Sequence, residues 1–299
     1  MMKRLLLRTL LALVVVVVVL AGFVWARSGY LLQRTWRVDE VGLTLPTDAV
    51  SIANGRHLAV TRGCTDCHGQ DMGGTVVMSA PLIGQMAAPN LTRGKDGVVS
   101  AFTVVDWERA IRHGVGPDGH GLLLMPSDEM SGLTDGDTAD LIAWLRRLPP
   151  VERASGRAFV GPVGRVLLAF GKFPLIAADR IDQHAAHVAR ITPAANASYG
   201  RYLVQGCSGC HGPHLSGGAI PGMPPQAPKA ANLTPDPLTG LGHWSKADFY
   251  RALRQGRRPD GSMLDPFMPW QSIRMASDTE LDALWAYLRT VPARPAGQR

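Results

Sequence analysis

The sequence predicts an all-α protein, with two helical domains in tandem behind an apolar N-terminal helix. Three observations lead to this fold class. A run of 17 residues near the start carries no charge, the same series of short motifs occurs twice, and each copy ends in a segment with helical apolar spacing. Of the 299 residues, 46% are hydrophobic and 18% are charged, which excludes a disordered chain.

The first element, residues 1–27, is predicted to be a membrane anchor or a signal segment. The uncharged run, Thr9 to Trp25, is at the short end for a helix that crosses a bilayer. The basic residues before it are Lys3, Arg4 and Arg8. They predict that the N-terminus lies inside and the rest of the chain outside. Cleavage after Ala21 or Ala26 stays open as an alternative. We favour a retained anchor because the apolar run is longer than that of a usual signal peptide.

The charge of the chain gives little support to a nucleic-acid partner. The formal net charge is +7, but four of the 31 basic residues lie in the first 27 positions, where there is no acid. The remainder has 27 basic and 24 acidic residues, without a dense basic run that includes aromatic residues. We therefore expect no nucleic acid among the partners.

The predicted organisation has five parts. They are the segment 1–27, a tether over 28–48, a first domain over 49–150, a connector over 151–192 and a second domain over 193–299. The connector includes the apolar stretch Val166 to Ala178, which is interrupted by Gly171 and Pro174 and is too short to span a bilayer. A connector of about 40 residues without structure would be unusual, so we expect an ordered strap packed against the domains.

The two domains repeat each other at an offset of 142 to 143 residues. The repeated segments, first copy then second, are CTDCHG (64–69) and CSGCHG (207–212), NLT (90–92 and 232–234), DWERAIRHG (106–114) and DFYRALRQG (248–256), and AWLRRLP (143–149) and AYLRTVP (286–292). The last helix of each copy is predicted to start after Thr134 and after Ser277, which suit the N-cap position. Two copies indicate a tandem pair of domains.

All four cysteines fall into two Cys-x-x-Cys-His motifs. Two cysteines at this spacing can form thioether bonds to the two vinyl groups of one haem, and the histidine that follows then lies below the iron. The residues concerned are Cys64, Cys67 and His68, and Cys207, Cys210 and His211. A zinc site of four cysteines would leave both histidines without a role, and a redox dithiol needs a βαβ context that is absent here. We therefore predict two covalently bound haem c groups.

The chain resembles membrane-anchored di-haem class I cytochromes c. Its second half is similar to the cytochrome c subunits of bacterial periplasmic alcohol and aldehyde dehydrogenases. The segments that carry this resemblance are CSGCHG (207–212), NLTPD (232–236), TGLGHWSKADFYRALRQG (239–256), Met268-Pro269 and LWAYLRTVP (284–292). The resemblance implies two tandem class I domains, each a small helical bundle around one covalent haem.

The resemblance also implies a methionine as the sixth iron ligand, before the last helix of each domain. Met125 and Met268 match this position, since both precede a proline and follow the first cysteine of their copy by 61 residues. The nearest alternatives, Met130 and Met263, do not recur at the repeat offset. We predict axial ligation by His68 and Met125 in one domain and by His211 and Met268 in the other.

Other residues are assigned supporting roles. Arg112 and Arg254 recur and could pair with haem propionates, or could be exposed helix arginines. Asn90 and Asn232 are expected to fix loops near the haem edge. The histidines outside the motifs are not expected to bind haem iron, because none has a histidine partner in the other copy; His113, for example, aligns with Gln255.

These residues predict an electron carrier without catalytic activity of its own, placed on the periplasmic side of the inner membrane as a single-pass protein. Its donor would be a periplasmic redox protein such as a dehydrogenase, and its acceptor another cytochrome or a terminal oxidase of a respiratory chain. The alternative is a di-haem enzyme of the peroxidase kind, in which one haem lacks a stable distal ligand. A haem-based sensor is neither favoured nor excluded.

Overall fold

The N-terminal apolar segment is a single long helix. A computed structural model describes residues 2–40 and 42–298 of the chain. Helix α1 (Met2–Gln33) has 32 residues, and its apolar window has a mean hydropathy of 2.8 and no buried residue. The helix includes the first six residues of the predicted tether, 28–33. By length and composition it can cross a membrane, and a signal sequence would pass the same test.

The first domain consists of short helices around one core. They are α2 (Ala49–Thr61), α3 (Cys64–His68), α4 (Val104–Glu108), a π-helical turn (Arg109–His113), α5 (Ser127–Met130) and α6 (Asp135–Leu145). The predicted N-cap is present, since Thr134 Oγ1 accepts a hydrogen bond from the Asp137 N–H. The core of this domain is built on Leu141 and Ile142, which are fully buried.

The second domain repeats this order. Its helices are α8 (Ala197–Leu203), a 3₁₀ turn (Val204–Cys207), α9 (Ser208–His211), α10 (Lys246–Gln255), α11 (Trp270–Ile273) and α12 (Asp278–Leu288). Ser277 caps α12 in a capping box with Glu280. Helix α10 is a regular helix, whereas the equivalent segment of the first domain changes to π geometry at Arg109.

The first and last helices of each domain cross at a glycine. A Cβ atom on Gly55 of α2 would overlap the backbone carbonyl of Asp140 in α6. A Cβ atom on Gly200 of α8 would overlap the carbonyl of Ala283 in α12 in the same way. Only glycine allows the two backbones to approach so closely, which explains why Gly-Arg-x-Leu occurs at this place in both copies.

A small antiparallel sheet was not predicted. Its strands are β1 (Thr75–Ala80), β2 (Gly84–Ala88) and β3 (Phe159–Val160), in the order β1-β2-β3. The β-branched Val76 and Val77 favour an extended backbone. The third strand comes from the connector, so the sheet depends on a long-range pairing that local sequence does not reveal. The helix-dominated fold is otherwise as predicted.

The connector is an ordered strap, as expected. After β3 it forms α7 (Pro162–Ala169) and a 3₁₀ turn (Ala177–Arg180). Helix α7 packs against the end of α1: Arg27 Nε donates to the carbonyl of Ala169 over 2.8 Å, and the Arg165 guanidinium stacks on Trp25. The apolar side of this region forms a third core, which includes Met86, Leu168 and Ile176.

The two domains face each other with approximate two-fold symmetry. Helix α2 approaches α12 where His57 Nε2 lies 2.8 Å from Glu280 Oε2. At the equivalent place, α8 approaches α6 where the Tyr202 hydroxyl donates to Asp137 Oδ2 over 2.5 Å. The first core continues across this interface and includes Tyr199 and Tyr202 of the second domain.

Candidate functional site

The first Cys-x-x-Cys-His motif forms helix α3. Gly63 before it and Gly69 after it have positive φ angles of 75° and 80°, so the chain turns sharply at both ends. His68 is 6% exposed, and its Nδ1 lies 2.9 Å from the carbonyl oxygen of Pro89. Since a carbonyl only accepts, Nδ1 carries the proton, and Nε2 of the neutral ring keeps the lone pair that a metal ligand needs.

The second motif has the same local geometry. It ends at Gly212, whose φ of 81° matches that of Gly69. His211 is 7% exposed, and its Nδ1 donates to the carbonyl oxygen of Ala231 over 2.7 Å. The two histidines therefore share one tautomer and one kind of backbone partner, as expected if both perform the same task.

The carbonyl groups that orient these histidines belong to loops fixed by Asn90 and Asn232. Asn90 Oδ1 accepts from both the N–H and the hydroxyl of Thr92, at 2.9 and 2.7 Å, and Asn90 Nδ2 donates to the carbonyl of Val151 over 2.8 Å. Asn232 makes the equivalent bonds to Thr234, at 3.0 and 2.8 Å. The prediction that these asparagines fix loops is confirmed, and the loops are those that orient the motif histidines.

Burial favours the neutral thiol at three of the four motif cysteines. Burial raises the pKa of Cys64 to about 12 and that of Cys207 to about 11. Burial also raises the pKa of Cys67. A reactive dithiol needs a thiolate, which burial disfavours at these positions. A thioether carries no charge and fits them, so the donor set suits covalent haem.

Both candidate methionines occupy the same kind of turn. Met125 and Met268 are half-buried, and each is followed by a proline with similar backbone angles, φ −81° and ψ 53° at Pro126 and φ −76° and ψ 48° at Pro269. A short helix, α5 or α11, begins directly afterwards. The structure thus gives the two residues equivalent positions, while their bond to iron stays a prediction.

The alternative methionines have other surroundings. Met130 is 5% exposed and packs in the first hydrophobic core. Met263 is half exposed in a loop that bridges to Arg257. Core packing accounts for Met130. Met263 has no equivalent methionine in the first domain.

The hypothesis that two arginines bind haem propionates is not supported. Arg112 is fully buried, where it pairs with Glu108 and, over 2.7 Å, with Asp135 at the start of α6. Arg254 pairs over 2.7 Å with Asp278 at the start of α12. In both domains the guanidinium therefore joins two helices, and it is committed to carboxylates of the protein.

The two attachment helices lie at the domain interface in reciprocal positions. Asp66, inside the first motif, accepts a hydrogen bond from Ser272 of α11 over 2.5 Å. Gly209, inside the second motif, lies against the carboxyl group of Glu129 in α5 and has no room for a side chain. Each motif thus contacts the helix that follows the candidate methionine of the other domain. Sequence reasoning missed Glu129 and Ser272, and the only signal was that they are one repeat offset apart.

Comparison with known proteins agrees with this arrangement. The family model for cytochrome c matches residues 52–149 and again residues 197–292. The chain is 29% identical over 269 residues to the fructose dehydrogenase cytochrome subunit of Gluconobacter japonicus, covering 82% of this chain and 53% of that protein. It is 29% identical over 282 residues to the gluconate 2-dehydrogenase cytochrome c subunit of Pantoea cypripedii, covering 83% of this chain and 61% of that protein.

The length of these relatives differs from that of the chain. The chain spans little more than half of the first and about three fifths of the second. A diheme cytochrome c-type protein of Cereibacter sphaeroides is closer in length: the match is 29% identical over 279 residues and covers 81% of this chain and 86% of that protein. The two matched domains and the two motifs together show that the chain belongs to the cytochrome c family and carries two covalently bound haem c groups.

Proposed function

We propose that this protein relays electrons between a periplasmic dehydrogenase and a later member of a respiratory chain. When bound, each haem supplies a reversible one-electron couple at its iron. The observation that carries the proposal is the reciprocal contact of the two motifs with the opposite domain, through Asp66 with Ser272 and Gly209 with Glu129. This contact keeps the two attachment helices at one interface.

The residues we assign to the two haems follow the repeat. Cys64 and Cys67 would form the thioether bonds in the first domain, with His68 and Met125 as axial ligands. Cys207 and Cys210 would do so in the second domain, with His211 and Met268. The shared tautomer of the histidines and the shared turn of the methionines support this assignment. The boundaries proposed for the domains are 49–150 and 193–299, joined by the connector.

Two ligated irons without an open position favour transfer over catalysis. In each domain the candidate methionine is placed by a proline turn that a helix follows at once, so it is held before any partner binds. A thioether ligand favours ferrous iron and raises the potential, which suits an electron carrier. We therefore propose that the chain has no catalytic activity of its own.

We propose that α1 anchors the protein in the inner membrane by a single pass, with both haem domains on the periplasmic side. The positive N-terminal flank gives this orientation. Phe170, which follows α7, lies beside Phe23 of α1, with ring centroids 6.2 Å apart. Val163, Val166 and Phe170 are exposed on the connector, so their apolar surface would meet the lipid headgroup region next to α1. N-terminal sequencing of the mature protein checks retention, and a start at residue 22 or 27 would contradict it.

The proposed donor follows from the names of the relatives, which are cytochrome subunits of fructose and gluconate dehydrogenases. The acceptor would be another cytochrome or a terminal oxidase.

The relay is tested by reducing the purified protein with a pulse of a small-molecule reductant and following both haems. We expect electron redistribution between the haems at a rate independent of protein concentration. Reduction of each haem only by collision with reductant would contradict the relay.

A further inference from the structure

A cluster of three possible ligands lies apart from both haem motifs. Glu40 comes from the tether, His113 from the π-helical turn and His187 from the connector. One ligand atom from each lies within 4.8 Å of the others. His113 Nε2 is 2.8 Å from Glu40 Oε1, and His187 Nε2 is 3.8 Å from the same oxygen.

The protonation of His113 is fixed from its other side. The Gln183 amide nitrogen donates to the carbonyl oxygens of His113 and Ala178, over 3.3 and 3.1 Å. This leaves Gln183 Oε1, an acceptor, facing His113 Nδ1 at 2.8 Å. The reversed amide would set its oxygen against two carbonyl oxygens. His113 Nδ1 must therefore carry a proton, and the neutral ring has its lone pair on Nε2.

That lone pair points at a carboxylate oxygen. Two acceptors at 2.8 Å repel each other, so a cation has to lie between His113 Nε2 and Glu40 Oε1. The cation is either a proton, shared by these two atoms, or a metal ion. A proton would satisfy this pair and nothing else nearby.

His187 distinguishes the two cations. Its Nε2 is buried and has no hydrogen-bond partner within residues 2–40 and 42–298. A buried polar nitrogen without a partner is costly, and a proton on His113 does nothing for it. A metal ion would take lone pairs from Glu40, His113 and His187 together.

The distances suit zinc. Bonds of about 2.0–2.2 Å from Zn²⁺ to nitrogen and oxygen place tetrahedral ligand atoms about 3.3 Å apart. This value lies between the 2.8 and 3.8 Å found for the two imidazole nitrogens against Glu40 Oε1. Three protein ligands would leave the fourth position to water.

The surroundings favour a divalent cation. A cavity of about 370 Å³ opens beside Glu40 and His187 and gives an ion a path to the site. Its wall also includes Glu108, Arg112 and Asp135, and the exposed Asp39 and His184 lie at its edge. The guanidinium of Arg112 is already paired with the carboxylates of Glu108 and Asp135. The negative charge of Glu40 is therefore not balanced by this arginine.

Within residues 193–298, the second domain has no counterpart of the histidine in this cluster. Gln255 stands where His113 stands, and the segment that carries it is a regular helix. The π geometry of residues 109–113 occurs only in the copy that has the histidine, and inserted π turns are frequent at functional sites. The cluster is therefore a feature added to one of two otherwise similar domains.

We propose that Glu40, His113 and His187 bind one divalent transition-metal ion, of which Zn²⁺ is the probe of choice, and that the ion fastens the tether and the connector to the first domain. Gln183 is a positioning residue that sets the tautomer of His113. The ion has no part in electron transfer, and it makes the docking of the first domain on the segment after α1 dependent on metal.

The test uses the purified full-length cytochrome with both haems. After chelator treatment, the protein is dialysed against Zn²⁺ and its zinc and iron are counted by mass spectrometry. We expect one zinc per two irons, and X-ray absorption at the zinc edge should show two imidazole nitrogens and oxygen. His187→Gln and His113→Gln should each weaken zinc binding by about 100-fold or more. The matched control, His184→Gln, alters an exposed histidine three residues away and should bind zinc as the wild type does.

Two results would overturn the proposal. One is a wild-type protein that takes up no zinc. A proton on both nitrogens of His113 in the NMR spectrum would then show that the cation between His113 and Glu40 is a proton. The other is equal zinc binding by wild type and both variants. If a histidine variant loses haem or helical signal, Glu40→Gln replaces it, because Glu40 lies in the tether outside the core, and retained zinc affinity in that variant contradicts the assignment.

Discussion

Asp66 and Ser272 lie 206 positions apart in the chain and are joined by a hydrogen bond of 2.5 Å from the serine hydroxyl to the carboxylate. Asp66 is part of the first haem motif, and Ser272 belongs to the helix that follows Met268. The counterpart in the other direction is the contact of Glu129 with Gly209. The sequence repeat is therefore matched by a repeat in space, which sets each attachment helix against the opposite domain.

Leucine in place of Met125 or Met268 should change one haem at a time. Leucine fills a similar volume but has no sulfur to bind iron. We expect each variant to lose the methionine-to-iron charge-transfer band of one haem, with a lowered potential for that haem and an unchanged second one. Near-infrared spectroscopy and redox titration measure both. Met130→Leu is the matched control in the first domain and should keep both bands. Loss of a band in this variant would mean that Met130, and not Met125, is the iron ligand.

Alanine in place of Asn90 should disturb the first haem through its proximal histidine. Asn90 is fully buried, and its side chain holds the loop whose Pro89 carbonyl accepts from His68. Removing it leaves the buried Thr92 N–H without its acceptor and takes one of two donors from the Val151 carbonyl, so we expect a loss of about 1–3 kcal/mol in the free energy of unfolding. The electron paramagnetic resonance signal of the first haem should shift while that of the second does not. Asn232→Ala should give the reverse pattern, and two unaffected signals would disprove the positioning role.

The pair of His57 and Glu280 should make domain docking depend on pH. The hydrogen bond to Glu280 raises the pKa of His57 above 6.5 in the folded protein. The stabilisation from this pair is therefore fully present below pH 6.5, and it is lost as the pH rises through the raised pKa of the folded state. For Glu280, burial alone would raise the pKa, but the bonds from His57 and Ser277 outweigh it and the pKa is lowered from 4.5. Its contribution is therefore present above pH 4.5 and is lost as pH falls through the lower folded value.

His57→Gln should accordingly lower the free energy of unfolding by about 1 kcal/mol near pH 6 and by less near pH 9. Denaturant unfolding at both pH values measures the difference. Tyr202→Phe removes the equivalent bond to Asp137 on the other side of the interface, and burial keeps the tyrosine pKa above that range. Its loss should therefore be the same at both pH values. Equal pH dependence in the two variants would contradict this account.

The ionised carboxylate of Glu129 should destabilise the folded protein. Burial, with a smaller contribution from Asp128, raises its pKa from 4.5 to about 7. The folded protein thus binds the proton more tightly than the unfolded chain, and stability falls as pH rises from 4.5 to about 7. Glu129→Gln cannot ionise, so we expect a flatter profile and a gain of about 1–3 kcal/mol at pH 8. Denaturant unfolding from pH 4.5 to 8 checks this, and a profile that stays as steep as that of the wild type would show that another group titrates.

Local pattern and repetition were sufficient for much of the fold. The Thr134 and Ser277 caps, the apolar spacing of the last helices and the two motifs each depend on residues close in sequence, and the structure has the helices where these predict them. The Asn-Leu-Thr segments attracted attention because they occur in both copies. In the structure they fix the loops whose carbonyl groups orient the motif histidines.

What the sequence did not reveal depends on distant partners. The three-stranded sheet needs β3 from the connector, and the change to π geometry at Arg109 has no local marker. Arg112 and Arg254 recur, and both pair with the acid that begins the last helix, a contact that only the packing of the helices reveals. His113 looked isolated because Glu40 and His187 lie 73 and 74 positions away, in segments whose paths could not be predicted.

We expect two low-spin, methionine-ligated haems that form one relay. A redox titration of the membrane-extracted protein, followed by optical and near-infrared spectroscopy, tests this expectation. We predict two separate one-electron waves, with a methionine-to-iron band for both haems. A high-spin fraction, or a haem that readily binds added carbon monoxide or peroxide, would show that one methionine is not coordinated and would contradict the relay.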